Sequence, residues 1–181
     1  MEIVIIAAID EKGAVGLSDN KTNHDLPWPR NSSDMEHFSR QTRGNVVVMG
    51  HNTHKNLKKL NERTVFILSR TNTHKKRPEP EKALWFSDSK DLLKHYKEKF
   101  SDKILFIIGG PTVWEHFLGL EVVAKLIITS IPGEHEANVF FERFLPENLA
   151  QQESGWKLES TLVLAGTQPK VQVRTWTKRL K

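Results

Sequence analysis

Five short runs of almost continuous apolar residues constrain the fold of this chain more than any other feature. Most of their residues are β-branched, and they are EIVIIAAI (2–9), NVVVMG (45–50), RTVFILS (63–69), KILFIIGG (103–110) and KLIITSI (125–131). Such runs are typical of strands that are buried on both faces. Helical patterns lie between them, at residues 33–42, 88–100 and 111–118. Alternating strands and helices predict βαβ units and a largely parallel α/β sheet.

The ends of these elements carry their own signals. The first helix is predicted to begin with a capping box formed by Ser33 and Glu36, and Pro111 suits the first position of the third helix. The C-terminal segments 156–165 and 170–180 alternate apolar with polar residues and are joined by GTQP. This pattern predicts an antiparallel hairpin at an edge of the sheet.

Composition excludes several classes of protein. Apolar residues make up 38% and charged residues 27% of the 181 residues, which indicates one soluble globular domain, residues 1–181. The chain has no cysteine, so it has neither disulfides nor a thiolate metal site. No apolar run has the length of a membrane span, and the acidic Glu2 and Asp10 argue against a signal peptide. We therefore expect a cytoplasmic protein without a membrane partner.

The net charge of +5 fits either nucleic acid or small polyanions as ligands. The Lys and Arg residues are spread along the chain, and no basic helix interleaved with aromatic residues is present. This distribution favours a small anionic ligand over nucleic acid.

Three predicted strands end in residues suited to phosphate binding. FIIGGPTVW (106–114) runs from strand through Gly-Gly to helix, which brings backbone N–H groups close to an anion, although a tight turn would also need glycine. VVMGHNTHKNL (47–57) is a second such junction, where Asn52 or Thr53 is predicted to cap a helix, and ILSRT (67–71) is a third. Ligands of open α/β sheets bind at the carboxyl ends of strands. Three such ends fit a dinucleotide better than a single phosphate.

Two histidine-containing segments could be interpreted as metal-binding sites, but we do not favour this interpretation. His51 and His54 would share a helical face, but no third ligand is near them in the sequence and cysteine is absent, so we expect no metal. GEHE (133–136) is interpreted as a polar loop. Residues 10–31 show little periodicity, which is typical of a functional loop.

Asp34 shares a predicted helical face with Phe38 and lies beside Met35. One interpretation is an acid that favours the positive end of the helix dipole. The other is a half-buried carboxylate with a raised pKa, suited to proton chemistry or to binding an amidine-like heterocycle.

The ordered segments IIAAI, VGL, LPW, DMEHF, VVMGHNTH, ERTVFILSR, IIGGPTVW and LIITSI together resemble dihydrofolate reductase along essentially the whole chain. The resemblance implies an eight-stranded, mostly parallel sheet with an antiparallel C-terminal hairpin, about four flanking helices, and an adenosine-binding subdomain at about 45–120. It also implies a monomer that uses NADPH to reduce 7,8-dihydrofolate to tetrahydrofolate, which serves one-carbon and thymidylate metabolism. Hydride would pass to pterin C-6 while N-5 is protonated.

The resemblance assigns roles to individual residues. Asp34 would bind the 2-amino group and N-3 of the pterin, Thr129 would hydrogen-bond to this acid, and Trp28 would order the site through water. Arg63 would pair with the α-carboxylate of the substrate's glutamate. The substrate-binding residues implied are Ile6, Ala7, Asp34, Met35, Phe38, Leu57, Leu60, Arg63, Ile108 and Thr129.

The cofactor residues implied are more numerous. Ala8, Val15 and Gly16 would line the nicotinamide, Gly109 and Gly110 would form a cis pair at the diphosphate, and Ser69 and Arg70 would hold the 2′-phosphate. The full set is Ala8, Val15, Gly16, Gly50, His51, Asn52, Thr53, Leu68, Ser69, Arg70, Ile108, Gly109, Gly110, Pro111, Thr112, Val113 and Trp114.

The chain departs from the family pattern at several positions. His51 stands where the family often has arginine, so the preference for NADPH would depend on Arg70, Lys75 or Lys76. Trp114 replaces a tyrosine. The loop 17–26 is longer than in bacterial members, and its Asn20, Lys21 and Thr22 are candidates for a lid over the nicotinamide.

Two other functions compete with this one. A reductase of the same fold that acts on a pyrimidine intermediate of riboflavin synthesis is disfavoured by LPW, by Asp34 with Phe38, and by Arg63. A non-catalytic protein that binds nucleotides or nucleic acid is the alternative from another class.

Overall fold

The computed structural model describes residues 1–17, 26–57, 60–70, 83–167 and 169–179 of the chain. These residues form an α/β fold. The strands are β1 (Glu2–Ile9), β2 (Ala14–Gly16), β3 (Val46–Gly50), β4 (Thr64–Leu68), β5 (Leu84–Phe86), β6 (Ile104–Gly109), β7 (Lys125–Ser130), β8 (Val139–Phe140), β9 (Trp156–Val163) and β10 (Gln172–Lys178). The helices are α1 (Ser32–Thr42), α2 (His51–Asn56), α3 (Ser89–Lys99), α4 (Pro111–Gly119) and α5 (Pro146–Ala150).

Eight of these strands form one sheet in the order β5-β4-β3-β6-β1-β7-β10-β9. The pairs β3–β4, β3–β6 and β4–β5 are parallel, whereas β10 is antiparallel to both β7 and β9. The predicted α/β class and the antiparallel C-terminal hairpin are therefore confirmed, with β9 at the edge of the sheet. A separate two-stranded sheet pairs β2 with β8.

The predicted start of α1 is wrong in detail. Ser33 does not cap the helix, because its hydroxyl donates to the carbonyl oxygen of Ala165 at 3.0 Å. The cap is Asn31, whose side-chain Oδ1 accepts the backbone N–H of Asp34 at 3.0 Å. The backbone N–H group that this cap binds therefore belongs to Asp34, the acid considered in the sequence analysis.

The predicted cap of α2 is also wrong. Gly50 is its N-cap, and no side chain caps it. Asn52 and Thr53 lie inside the first turn, because the helix begins directly after β3 with no intervening residue.

The chain divides into two compact units. The first unit combines Met1–Val4 with Thr42–Val123, and the second combines Ile5–Gln41 with Ala124–Lys181. In the first unit the fully buried residues include Phe66, Phe106 and Phe117.

The second unit has a core of its own. Its buried apolar side chains include Ile9, Leu126, Phe144, Trp156 and Trp176. Among the described residues, no helix combines the length and the apolar character needed to cross a membrane.

Candidate active site

Asp34 lies in the first turn of α1, in the second unit, with only 4% of its surface exposed. The hydroxyl of Thr129, a buried residue of β7, hydrogen-bonds to the carboxylate of Asp34. Burial raises the pKa of Asp34 above its ordinary value, and this hydrogen bond opposes part of the rise. Asp34 therefore keeps its proton at a higher pH than an exposed aspartate does. The hydrogen bond from Thr129 on β7 fixes the orientation of its carboxyl group.

Two apolar residues and a histidine follow Asp34 on α1. Phe38, one turn along, is partly exposed, and Met35 is 37% exposed. His37 shares the buried side of the helix, and burial, followed by the charge of Arg40, lowers its pKa. Within the described part of the chain, neither ring nitrogen of His37 has a hydrogen-bond partner. A neutral imidazole therefore lies close to Asp34 on the helix, and no sequence signal distinguished it from a surface histidine.

The other predicted residues of this unit come from β1, β2 and the segment before α1. Ile6 and Ala7 are buried in β1, and Ala8 beside them is partly exposed. Val15 and Gly16 belong to β2, the short strand that pairs with β8.

Trp28 is 6% exposed, and no described residue accepts a hydrogen bond from its indole Nε1–H. The ring of His135 meets it edge-on, with centroids 5.9 Å apart and planes inclined at 69°. Residues 133–136 form a loop, as predicted, and within it the ring of His135 is packed against a tryptophan.

Asp10 is a second buried acid, for which no role in a site was predicted from the sequence. Its Oδ1 accepts the N–H groups of Lys12 and Ala14, each at 2.9 Å, and its Oδ2 accepts the N–H of His135 at 2.9 Å. An aspartate just before a turn often binds the N–H groups that follow it. That signal could have identified Asp10, whereas nothing local points to its contact with His135.

In the first unit, the predicted phosphate-binding residues lie where β6 meets α4. The peptide bond between Gly109 and Gly110 is cis, as the resemblance implied. A Cβ added to Gly110 would lie 3.4 Å from Oγ1 of Thr53, and one added to Gly109 would lie 3.5 Å from both Thr53 and Trp114. Gly110 caps α4 without a side chain, and Pro111 and Thr112 occupy its first two positions.

The junction of β3 with α2 lies against the same helix. A Cβ on Gly50 would come within 3.1 Å of Cγ2 of Val113, so α4 and this junction approach closely. Next to this junction, the rings of His51 and His54 both meet Trp85 of β5 edge-on, at centroid distances of 5.7 and 5.6 Å.

The remaining predicted residues of this unit lie at the end of β4, near the end of α2 and in β6. At the end of β4, Leu68 is partly exposed, Ser69 is buried and Arg70 is exposed, and the N–H of Ser69 donates to the carbonyl of Phe86. Leu57, Leu60 and Ile108 are partly exposed.

Arg63 precedes β4. Its Nε donates to Oγ1 of Thr42 at 3.2 Å and its Nη1 to the carbonyl of Asn61 at 2.7 Å. Burial, followed by the charge of Arg43, lowers the pKa of the guanidinium, and Glu62 opposes this shift. The candidate lid residues Asn20, Lys21 and Thr22, and also Lys75 and Lys76, lie outside the described residues.

The sheet order and the helices between its strands define an α/β protein, with a buried acid in its second unit and glycines at the carboxyl ends of parallel strands in its first unit. Comparison with known proteins identifies the family. The family model described as dihydrofolate reductase matches residues 2–160. The chain therefore belongs to the dihydrofolate reductase family.

Individual relatives agree with this assignment. The chain is similar to a dihydrofolate reductase of Mycoplasma genitalium, with 25% identity over 83% of this chain and 92% of that protein. It is also similar to the dihydrofolate reductase of Sus scrofa, with 30% identity over 75% of this chain and 76% of that protein. A dihydrofolate reductase from Enterococcus faecalis, solved in complex with NADP(H) and RAB-propyl, superposes with a TM-score of 0.77 and 22% identity. The superposition covers 99% of this chain and 97% of that one, which shows that the two share a fold.

Proposed function

We propose that the protein reduces 7,8-dihydrofolate to 5,6,7,8-tetrahydrofolate with NADPH as the hydride donor. The observation that carries this proposal is the buried Asp34, hydrogen-bonded to Thr129 and with a raised pKa. A carboxylate in such surroundings needs a functional reason, because burial without a strong partner is unfavourable for an acid.

Asp34 binds the pterin in this mechanism. The two carboxylate oxygens accept hydrogen bonds from the 2-amino group and N-3, and this pairing favours a proton on N-5. Asp34 does not reach N-5 itself, so a water molecule delivers the proton. Positioned proton transfer of this kind contributes about 10²–10⁴-fold to a rate.

Thr129 and Trp28 support this acid. The Thr129 hydroxyl donates to the carboxylate and occupies one lone pair, so both oxygens still have lone pairs with which to accept hydrogen bonds from the substrate. Trp28 has a buried indole N–H with no acceptor among the described residues, and this donor suits the water that delivers the proton.

The first unit fits a dinucleotide diphosphate. Gly109 and Gly110 lie next to Thr53, so that an added Cβ would be in van der Waals contact with its side chain, and the absence of side chains at both positions lets backbone N–H groups approach a ligand. The backbone N–H groups of Gly110 and Thr112 and the Thr53 hydroxyl would hold the diphosphate, and Ser69 and Arg70 would hold the 2′-phosphate. When bound, NADPH supplies the hydride that pterin C-6 accepts. The Enterococcus relative was solved with NADP(H), which is consistent with this assignment.

Arg63 would bind the glutamate tail of the substrate. Its Nε and Nη1 already donate to Thr42 and Asn61, which fixes the plane of the guanidinium. A guanidinium held in this way is suited to a carboxylate. The net charge of +5 favours both polyanionic ligands. We also propose that the enzyme is a cytoplasmic monomer.

The test is to mix the purified protein with NADPH and dihydrofolate and to follow the absorbance of NADPH. We expect oxidation that requires both substrates and yields one tetrahydrofolate for each NADPH. A parallel reaction uses a pyrimidine intermediate of riboflavin synthesis in place of dihydrofolate. Activity with the pyrimidine alone would assign the protein to the rival reductase, and activity with neither would contradict the proposal.

A further inference from the structure

We propose that His135, held in place by Asp10, is a positioning residue that sets the orientation of Trp28. The inference rests on the proposed function, because it gives Trp28 a place in the reductase site. It assigns a role to a loop residue whose contacts join the turn after β1, the segment after β7 and the segment before α1.

Asp10 holds the backbone of His135 in place. Its side chain is fully buried, and its carboxylate accepts the backbone N–H groups of Lys12, Ala14 and His135. Three N–H donors satisfy a buried carboxylate without a charged partner. The N–H of Glu11 also donates to the carbonyl of Gly133, so the backbones of the two segments are joined at a second point.

The His135 side chain extends from this fixed backbone. Its Nδ1 lies 3.3 Å from Oδ2 of Asp10, and only 20% of its side chain is exposed. The preceding residue behaves differently, because the Glu134 side chain is 56% exposed and pairs with the exposed Lys12 at 2.5 Å. Two neighbouring residues of one polar loop thus have opposite environments, and only His135 is directed inward.

The inward ring is in contact with Trp28. An edge-to-face contact at 5.9 Å is within the range that stabilises aromatic pairs. The indole N–H of Trp28 has no acceptor among the described residues, so no hydrogen bond to that part of the protein fixes the direction in which this donor points. Packing against His135 is therefore a contact that can hold the indole plane, and with it the position of the N–H that is proposed to bind the water.

The first experiment is a double-mutant cycle between His135→Ala and Trp28→Phe, with the hydride-transfer rate as the readout. We expect His135→Ala to lower the rate roughly tenfold in the wild-type background, since small displacements at a reacting centre have effects of this order. In the Trp28→Phe background the same change should lower the rate less than about twofold, because residues that act through each other are not additive. A tenfold loss in both backgrounds would overturn the proposal.

Two further variants separate ring packing from charge and from general instability. His135→Phe keeps a ring at this position and leaves Asp10 with its three backbone donors, so we expect its rate to stay within about twofold of wild type. Glu134→Gln changes the exposed neighbour and should leave the rate unchanged. A His135→Phe enzyme as slow as His135→Ala would contradict positioning by the ring.

Fluorescence gives a readout that does not depend on turnover. The emission of Trp28 is obtained by subtracting the spectrum of each protein's Trp28→Phe counterpart. This difference spectrum should change in His135→Ala and be preserved in His135→Phe and Glu134→Gln. An unchanged spectrum in His135→Ala would refute the contact. If the wild-type protein does not reduce dihydrofolate, the proposed function fails, and the spectra still decide whether His135 positions Trp28.

Discussion

The acid site around Asp34 and the glycine junction at Gly109 and Gly110 are built on opposite principles. The first depends on one ionisable side chain whose behaviour comes from burial and from a single hydroxyl, that of Thr129. The second depends on backbone and small residues, with Thr53 close to positions that have no side chain. A change at the acid should therefore affect the chemical step, whereas a change at the glycines should affect binding.

The largest effect is expected from Asp34→Asn. This change removes the ionisable group without changing its shape, so turnover of dihydrofolate should fall by about 10²–10⁴-fold. Binding of NADPH, measured by fluorescence titration, should be almost unchanged, because the proposed diphosphate-binding residues all belong to the first unit.

A matched control for this change is Asp88→Asn, at the exposed N-cap of α3, where Asp88 accepts the N–H of Lys90. Asparagine is an equally good N-cap, so this variant should be as active as wild type. Equal turnover in Asp34→Asn and wild type would remove Asp34 from the mechanism.

Arg63→Ala should have the next largest effect. Loss of a charge-assisted pair with the glutamate carboxylate should raise KM for dihydrofolate by about 10- to 100-fold. KM for a reduced pterin without the glutamate tail should hardly change. Arg43→Ala removes a neighbouring exposed arginine, which pairs with Glu62, and serves as the control. A similar rise in KM for both substrates would place Arg63 elsewhere.

Gly110→Ala tests the proposed role of the glycine junction in binding NADPH. The added methyl group would lie 3.4 Å from Oγ1 of Thr53, in the space proposed for the diphosphate. We expect the Kd of NADPH to rise by about tenfold, in line with the effect of one extra methyl group in a packed site. Turnover at saturating NADPH should change much less.

Gly119→Ala is the control at the other end of α4, because nothing lies within 4 Å of an added Cβ there. Its NADPH affinity should equal that of wild type. If Gly110→Ala also bound NADPH as tightly as wild type, the glycine junction would not be the diphosphate site.

The smallest effect concerns stability. Because burial raises the pKa of Asp34, the folded state binds a proton more tightly than the unfolded state. The stability of wild type therefore falls as pH rises from the ordinary aspartate pKa through the raised one. Asp34→Asn has no charge to bury, so its free energy of unfolding should exceed that of wild type by about 1 kcal/mol at neutral pH.

Chemical denaturation at two pH values checks this expectation. The difference between Asp34→Asn and wild type should be largest above the raised pKa of Asp34 and should shrink in acid. A wild type that is the more stable of the two at neutral pH would mean that the carboxylate stabilises the fold.

The sequence was most informative where a pattern is long and local. The five apolar runs predicted β1, β3, β4, β6 and β7 to within one residue at each end, because continuous β-branched residues have few alternatives to a buried strand. Strands β2, β5 and β8 were not predicted, since two or three residues show no periodicity. The helix caps were misplaced because Ser33, Asn52 and Thr53 are as suitable by composition as the residues that precede the helices.

Of the contacts between segments that are distant in the sequence, one was predicted and others were not. The Asp34–Thr129 hydrogen bond was reached through the resemblance, because both residues lie in motifs that the family shares. The contacts of His135 with Asp10 and Trp28 join segments more than 100 residues apart, and no local pattern carries them. Only the folded chain shows that this histidine is directed inward.

The most direct test of the central claim is the pH dependence of hydride transfer, measured in a single turnover for wild type and Asp34→Asn. Because N-5 must be protonated, the wild-type rate should fall as pH rises, with an inflection above the ordinary aspartate range. The variant should be slow throughout, without that inflection, and should gain rate only in acid as the substrate itself is protonated. A variant with the rate and the pH profile of wild type would contradict the account.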